Sequence, residues 1–334
     1  HGCSCVGSLD GDLSVIKTLE ETLPHLPEAA TFEDFYLLFE EALRRGIYDL
    51  TGSVSRNQQV RSEYHPQLVR SLLIDDCLDR GRHYYAGGAR YNWSVINIVG
   101  LSNAIDSLAA VKRAVFEEKR VSATRLLGAL AANFEGQEAL RAFLQGCPRY
   151  GNDSPEVNDL AARLSSFVYN EFKRYAPYRG GKFLCGTLMF VTYGWYGEPV
   201  GATPDGRLAG TPVGDSAGPV QGRDKAGPTA MLASTAALSQ QDAPGTLVVN
   251  LRVAKSLLAS TEGRSRLKAL VEGYYEQGGL QLQLNVVDQA VLKAAIASPE
   301  AHGDLIVRVG GYSEYFNNLD ETLKLSILER TEHS

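Results

Sequence analysis

The sequence predicts an α/β protein, helical in its first half and alternating strands with helices in its second. Three observations carry this reading. Apolar residues recur at helical spacing up to about residue 180; glycine and proline then crowd a long stretch; three strand-like runs separated by two helical ones follow. With 334 residues, 44% hydrophobic and 22% charged, the chain has enough apolar material for a substantial core.

The first strong helix follows Thr31, which pairs with Asp34 as a capping box. Phe35, Leu38, Phe39 and Ala42 then fall on one face, and Gly46 is the expected stop. A second helix is expected after Ser102, through Ile105, Leu108, Ala109 and Val115. A third follows Ser154, where Pro155 suits the first helical position and Glu156 meets the positive end of the helix dipole. All three apolar faces read as core packing.

Between Gly194 and Thr229 glycine and proline recur every few residues, which predicts a long ordered loop region. Loops of this length in a compact protein usually have a function. It contains Thr203-Pro204-Asp205-Gly206-Arg207 and Gln221-Gly222-Arg223-Asp224. Asp205, Arg207, Arg223 and Asp224 read first as groups that pin loops through charged hydrogen bonds. Strands are expected over Leu247–Leu251, Leu280–Val287 and Leu305–Val309, with helices near Ser265–Tyr275 and Gln289–Ala297. In the middle strand Gln281, Gln283 and Asn285 alternate with leucines, so one face is polar. That face either lines a cavity or lies in water on an edge strand.

The net charge of -6 is spread over interspersed acids and bases, which excludes a phosphate-binding face for nucleic acid and a basic membrane-binding helix. No apolar stretch is long enough to cross a bilayer, and the first residues lack the regions of a secretory signal. The expectation is a cytoplasmic protein acting on a small molecule. Five cysteines, an odd number, argue against a disulfide framework and for a reducing compartment. Cys77, Cys147 and Cys185 read as core residues. Cys3 and Cys5 admit three readings: buried structural thiols, half of a metal site, or reactive groups. The metal reading is the weaker, because no second cysteine pair or histidine pair follows. The chain opens at His1 directly in Gly-Cys-Ser-Cys with no element to anchor it, so an upstream part is expected. A nucleotide-binding reading of Gly87-Gly88 or Gly180-Gly181 fails, since neither has the glycine spacing of a phosphate loop.

The last strand runs into Arg308-Val309-Gly310-Gly311-Tyr312-Ser313-Glu314-Tyr315-Phe316. Alone, Gly310-Gly311 reads as a tight turn. The run also resembles the glycine radical motif of the glycyl radical enzymes, the pyruvate formate-lyase-like family, with Gly311 in the radical position. Further segments resemble this family in the same order: Gly87-Gly88-Ala89-Arg90-Tyr91-Asn92, Phe116 to Lys119, Ala132 to Gly136, Arg149-Tyr150-Gly151-Asn152-Asp153, Thr203 to Gly210, and Gly222 to Ala230. The resemblance spans essentially the whole chain and places Gly2-Cys3 where the family carries its catalytic cysteine loop.

The resemblance implies the C-terminal part of a ten-stranded α/β barrel of the glycyl radical enzyme type. Residues 1–200 would be the C-terminal portion of a pyruvate formate-lyase-like domain and residues 201–334 the glycine radical domain. An isolated half-barrel is expected to expose strand edges and apolar surface. A glycyl radical needs a nearly planar Cα, which glycine alone allows because no Cβ crowds it. A thiol serves as its partner, because its S–H bond is close enough in strength to the glycyl C–H bond for reversible hydrogen transfer.

By resemblance, Cys3 would form the thiyl radical that abstracts hydrogen from substrate or adds to it. The enzyme would then cleave a C–C or C–heteroatom bond of a small organic substrate under anaerobic conditions. No cofactor or metal would be bound; a separate S-adenosylmethionine-dependent iron-sulfur activating enzyme would install the radical on Gly311. A homodimer is expected for the full-length protein. Many dehydratase and lyase members carry glutamate two positions after the cysteine as general base, where this chain has Cys5. Pyruvate formate-lyase itself has two adjacent cysteines. On an extended segment the side chains of Cys3 and Cys5 would face the same side, with Cys3 relaying the radical and Cys5 contacting substrate. The alternative is a truncated or non-catalytic radical-bearing module that needs another chain for activity.

Overall fold

The structure, a computed structural model, describes residues 5–6, 9–189, 192–309 and 312–333. Its first sheet is built on β3 (Tyr91–Val99), a run of β-branched and aromatic residues suited to a buried strand. β1 (Cys5–Val6) and β2 (Leu9–Ser14) pair with it in parallel, with Cys5 opposite Tyr91 and Leu9 opposite Val95. β4 (Lys182–Gly186) also runs parallel to β3, Trp93 lying opposite Lys182.

An isolated parallel bridge between Thr187 and Leu247 links the end of β4 to the approach of β5 (Asn250–Val253). β6 (Gln283–Asn285) pairs in parallel with β5, and so does the short C-terminal β9 (Glu332–His333). β7 (Ile306–Arg308) and β8 (Ser313–Tyr315) form a separate antiparallel hairpin. The strand–helix alternation expected for an α/β fold with a largely parallel sheet is therefore present.

Helices cover the sheet. α1 (Val15–Thr22) starts on the Ser14 side chain, which accepts from Lys17 N. α2 (Phe32–Tyr64) has the expected capping box between Thr31 and Asp34. It does not stop at Gly46. Its buried stripe continues through Ile47, Thr51, Val54 and Gln58, and the packing of that stripe outweighs a glycine penalty of about 1 kcal/mol. Near its end Gln58 Nε2 donates to Ser94 Oγ at 2.6 Å and to Asp10 Oδ2 at 3.3 Å, tying the helix to β3 and β2. α3 (Leu101–Val111) begins one residue before Ser102, after Gly100 in the left-handed conformation, and buries every residue. A π-helical segment, Lys112–Glu117, prolongs it. α4 (Pro155–Phe172) starts at Pro155 as expected.

The stretch from Glu198 to Gly227 contains no helix or strand among its described residues, as the Gly/Pro pattern predicts. α5 (Pro228–Ala236), α6 (Thr261–Glu276) and α7 (Gln289–Ala297) follow, then α8 (Glu321–Glu329) before β9. All three strands are shorter than their sequence patterns: the regular part of Leu247–Leu251 begins only at Asn250, Leu280–Val287 contracts to Gln283–Asn285, and Leu305–Val309 to Ile306–Arg308. β6 has only β5 as a main-chain partner among the described residues, so pairing sustains little more.

The faces of β6 contradict the solvated-edge reading. Gln283 and Asn285 are each only 6% exposed, whereas Leu284 is 38% and Leu280 46% exposed. The polar face is turned inward and the apolar face outward. Exposed apolar side chains also gather at Tyr64, Leu68, Val69, Leu72, Leu73 and Leu78. One continuous core otherwise joins the sheet to α1–α4 and extends through Val307, Val309 and Phe316 to Ile327.

Candidate radical-glycine site

Cys3 and Gly311 lie outside the described residues. Cys5 is placed by its main chain alone, at the start of β1 opposite Tyr91. What the fold does define is the frame around the Gly310-Gly311 segment. β7 and β8 flank it, with Arg308 opposite Ser313, and Val309 N donates to Tyr312 O at 3.0 Å.

This hairpin is fastened by side chains. Arg308 N donates to Asn285 Oδ1 at 2.8 Å, and Asn285 Nδ2 donates to Arg308 O at 2.9 Å. The Asn285 amide thereby makes the two bonds that a neighbouring strand would make. Arg308 Nε also donates to Gln283 Oε1 at 3.3 Å. The inward polar face of β6 thus receives the strand that leads to Gly311. Beneath it Val307, Val309 and Phe316 are buried, and Phe316 N donates to Leu305 O at 2.7 Å.

The C-terminal residues close the frame. Arg330 Nη2 donates to Asp215 Oδ2 at 2.6 Å and to Val309 O at 3.0 Å, while Nη1 donates to Arg308 O at 3.3 Å. Asn250 Nδ2 donates to the same Asp215 oxygen at 2.8 Å. Ser216 Oγ donates to Asp215 Oδ1 at 2.9 Å and accepts from Met189 N at 3.2 Å. Asp224 receives Thr331 Oγ1 and pairs with His333 Nε2 at 3.0 Å. Arg252 Nη1 donates to Ile327 O at 3.0 Å, covering an open carbonyl at the end of α8. A cavity of about 30 Å³, lined by Asp215, Asp224, Asn250, Arg252, Arg330 and His333, lies among these groups.

The Gly/Pro-rich loops are pinned by a second buried network. Asp205 accepts from Thr203 Oγ1 at 2.5 Å, Asn103 Nδ2 at 2.9 Å, Arg223 Nη1 at 3.0 Å and Arg207 N at 3.3 Å. Burial pushes its carboxyl up, but Arg223, Thr203, Arg149 and Asn103 together hold it below the ordinary value. The Arg207 guanidinium reaches the carbonyls of Gly197, Gly201 and Thr211. Asp106 accepts from Tyr150 N at 2.8 Å and lies 3.4 Å from Arg149 Nη1; burial, only partly offset by Arg149, pushes its carboxyl up to about 6. Asp205, Arg207, Arg223 and Asp224 therefore hold loops, as their sequence setting suggests.

Cys77, Cys147 and Cys185 are buried, and burial raises all three thiols. They are core residues without thiolate character. Among the described residues, no group of three or more His, Cys, Asp or Glu is placed to hold a metal. Asp215, Asn250, Arg330 and His333 were not singled out from the sequence. The cluster Arg330-Thr331-Glu332-His333, directly after an amphipathic helix, is the signal that was available.

Residues 12–197 match the family described as pyruvate formate lyase-like, and residues 213–317 match the glycine radical family. Trans-4-hydroxy-L-proline dehydratase of Clostridioides difficile is 36% identical over 98% of this chain and 43% of its own length. An isethionate sulfite-lyase of Oleidesulfovibrio alaskensis is 30% identical over 100% of this chain and 39% of its own. The solved glycerol-bound form of the B12-independent glycerol dehydratase from Clostridium butyricum superposes with a TM-score of 0.94 at 31% identity, covering 99% of this chain and 44% of that one. The chain spans less than half the length of these relatives.

Proposed function

Because the chain belongs to the pyruvate formate-lyase-like glycyl radical enzymes, we propose that it carries the radical-storing part of a radical dehydratase or lyase. Its substrate would be a small organic molecule that loses a group through a carbon–heteroatom bond. The observation that carries this reading is the hairpin β7–β8, which flanks Gly310-Gly311 within the segment matching the glycine radical family and is fixed by a buried polar frame. The relatives named as dehydratases and a sulfite-lyase support elimination.

In this reading Gly311 loses its Cα hydrogen atom to a separate activating enzyme and rests as a planar radical. The radical takes the S–H hydrogen atom of Cys3, leaving a thiyl radical. The thiyl takes a hydrogen atom from substrate carbon, the neighbouring heteroatom group departs, and the product radical recovers the hydrogen atom from the Cys3 thiol. Departure of a hydroxyl or sulfonate group needs proton management. Cys5 occupies the position of the usual glutamate, so the base must come from another group while Cys5 contacts substrate. Residues 1–200 form the pyruvate formate-lyase-like portion and 201–334 the glycine radical domain, a division the family matches at 12–197 and 213–317 support. A reducing cytoplasm and a homodimer complete the proposal. Among the described residues no helix is long and apolar enough to cross a membrane.

A second reading is supported by the apolar side chains exposed at Leu68, Val69, Leu72 and Leu73: a radical-bearing module completed by another chain. Electron paramagnetic resonance after anaerobic activation tests both. A glycyl doublet that disappears in Gly311→Ala is expected, and its absence from competently activated protein would overturn the radical assignment. With the doublet present, Cys3→Ala should keep the signal and lose product. Cys5→Ser with full turnover would make Cys5 a bystander. A doublet without turnover, with turnover restored by adding the N-terminal portion of a relative as a separate chain, would select the module.

A further inference from the structure

We propose that Arg330, held by Asp215 and Asn250, is a positioning residue whose guanidinium latches the β7–β8 hairpin against the sheet, and that opening this latch is what frees residues 305–309 and 312–316. The role in radical chemistry rests on the reading above; the latch itself does not.

A three-pair hairpin such as β7–β8 is marginal on its own, so its place must be set by tertiary contacts. One side of it is open: Ile306 is 52% and Tyr315 48% exposed. The other side is fixed apolarly by Val307, Val309 and Phe316 and polarly by two sets of side chains. The amides of Gln283 and Asn285 hold Arg308, and Arg330 spans the successive carbonyls of Arg308 and Val309, the last two before Gly310. Only Arg has the planar fork to bridge two carbonyls and a carboxylate at once. Its charge is compensated in a nearly dry setting by Asp215, itself 5% exposed and braced by Asn250 and Ser216.

The position of Arg330 in the chain makes the fastening releasable. It follows α8 directly and precedes β9, a strand of only two residues held by Arg252–Glu332 and Val253–His333 pairing and by Asp224. So short a strand adds little stability of its own, and weakly held segments open at the low end of a protein's stability range. Loss of Arg330 takes away both carbonyl bonds beside Gly310 while leaving the sheet that carries Asn285 intact. The bonds of Arg308 to Asn285 and Gln283 remain.

Hydrogen–deuterium exchange on the whole chain reads the latch without any radical. In Arg330→Lys, which keeps the charge opposite Asp215 but lacks the fork, exchange across 305–309 and 312–316 should rise on the order of tenfold. Asp215→Asn should raise the same peptides. Peptides of α3 and α4 should not change in either variant. Should Arg330→Ala unfold the chain, these two milder variants carry the test. Unchanged exchange in the hairpin, or an increase spread evenly over α3 and α4, overturns the latch. Under activation, the glycyl doublet should form faster in Arg330→Lys than in the parent, whereas a merely structural defect would slow it. A faster-exchanging hairpin with no doublet even in the parent leaves the latch standing and removes the radical reading. A parent doublet with unaltered hairpin exchange does the reverse.

Discussion

Replacing Asp205 with alanine separates a loop-pinning role from a substrate-binding one. The Asp205 carboxylate is fully buried and accepts four bonds, from Thr203, Asn103, Arg223 and Arg207 N. Removing it leaves Arg223 with the Asp205 carbonyl at 3.1 Å but without its charge partner, and strips Asn103 Nδ2 of its acceptor. Breaking a buried ion pair by deleting one member costs about 3–5 kcal/mol. Each newly orphaned donor adds about 1–3 kcal/mol, less than additively because the groups share one network. Arg223 keeps some access to water, which lowers the first figure. The expected loss is about 4 kcal/mol for Asp205→Ala and about 2 kcal/mol for the isosteric Asp205→Asn, which keeps one acceptor oxygen. Urea denaturation followed by circular dichroism measures this, with exchange across 198–227 as the local probe. Adding Arg223→Met to Asp205→Ala should recover part of the loss, because the buried unpaired charge goes with it. A loss under about 1 kcal/mol with the loop still protected would refute the pinning argument. A stable variant that loses turnover would instead make Asp205 a substrate group.

Two further outcomes follow from packing and burial. At Gly181 the backbone φ is +79° and an added Cβ would overlap the Asn92 carbonyl between β3 and β4, so Gly181→Ala should cost about 4 kcal/mol or more; a melting temperature within a degree or two of the parent would contradict the close approach. Burial raises the Asp106 carboxyl to about 6 from its ordinary value near 3.8, so its stabilising contribution is full below about pH 4 and is lost as pH rises through 6. Asp106→Asn should therefore gain on the parent by up to about 3 kcal/mol between pH 4 and 7, and a difference that stays flat across that range in urea titrations would refute it.

Local chemistry made much of this fold legible. The capping box at Thr31, Pro155 at the head of α4 and the period of Gln289–Ala297 specify helices from residues a turn apart, and each is present in the structure. The motif around Gly311 and the ordered segments before it were enough to identify the family. Where a boundary depends on distant packing, local signals misled. Gly46 is a plausible stop that α2 ignores because its buried stripe runs on to Gln58. The alternation in β6 established that two faces differ, but not that the polar one points inward, since this depends on what lies opposite.

What lies opposite is Arg308 of the hairpin, 23 residues away, and the clamp on that hairpin joins Arg330 to Asp215 across 115. Neither spacing has a period. Residue chemistry read along the chain identifies the family, the helical half, the pinned loops and the residues expected to carry the radical. That Asn285, Asp215 and Arg330 hold the strand leading to Gly311 emerges only once the chain is folded. Those contacts arise when the parallel sheet brings β5, β6 and the chain's end together, and no local preference encodes that meeting.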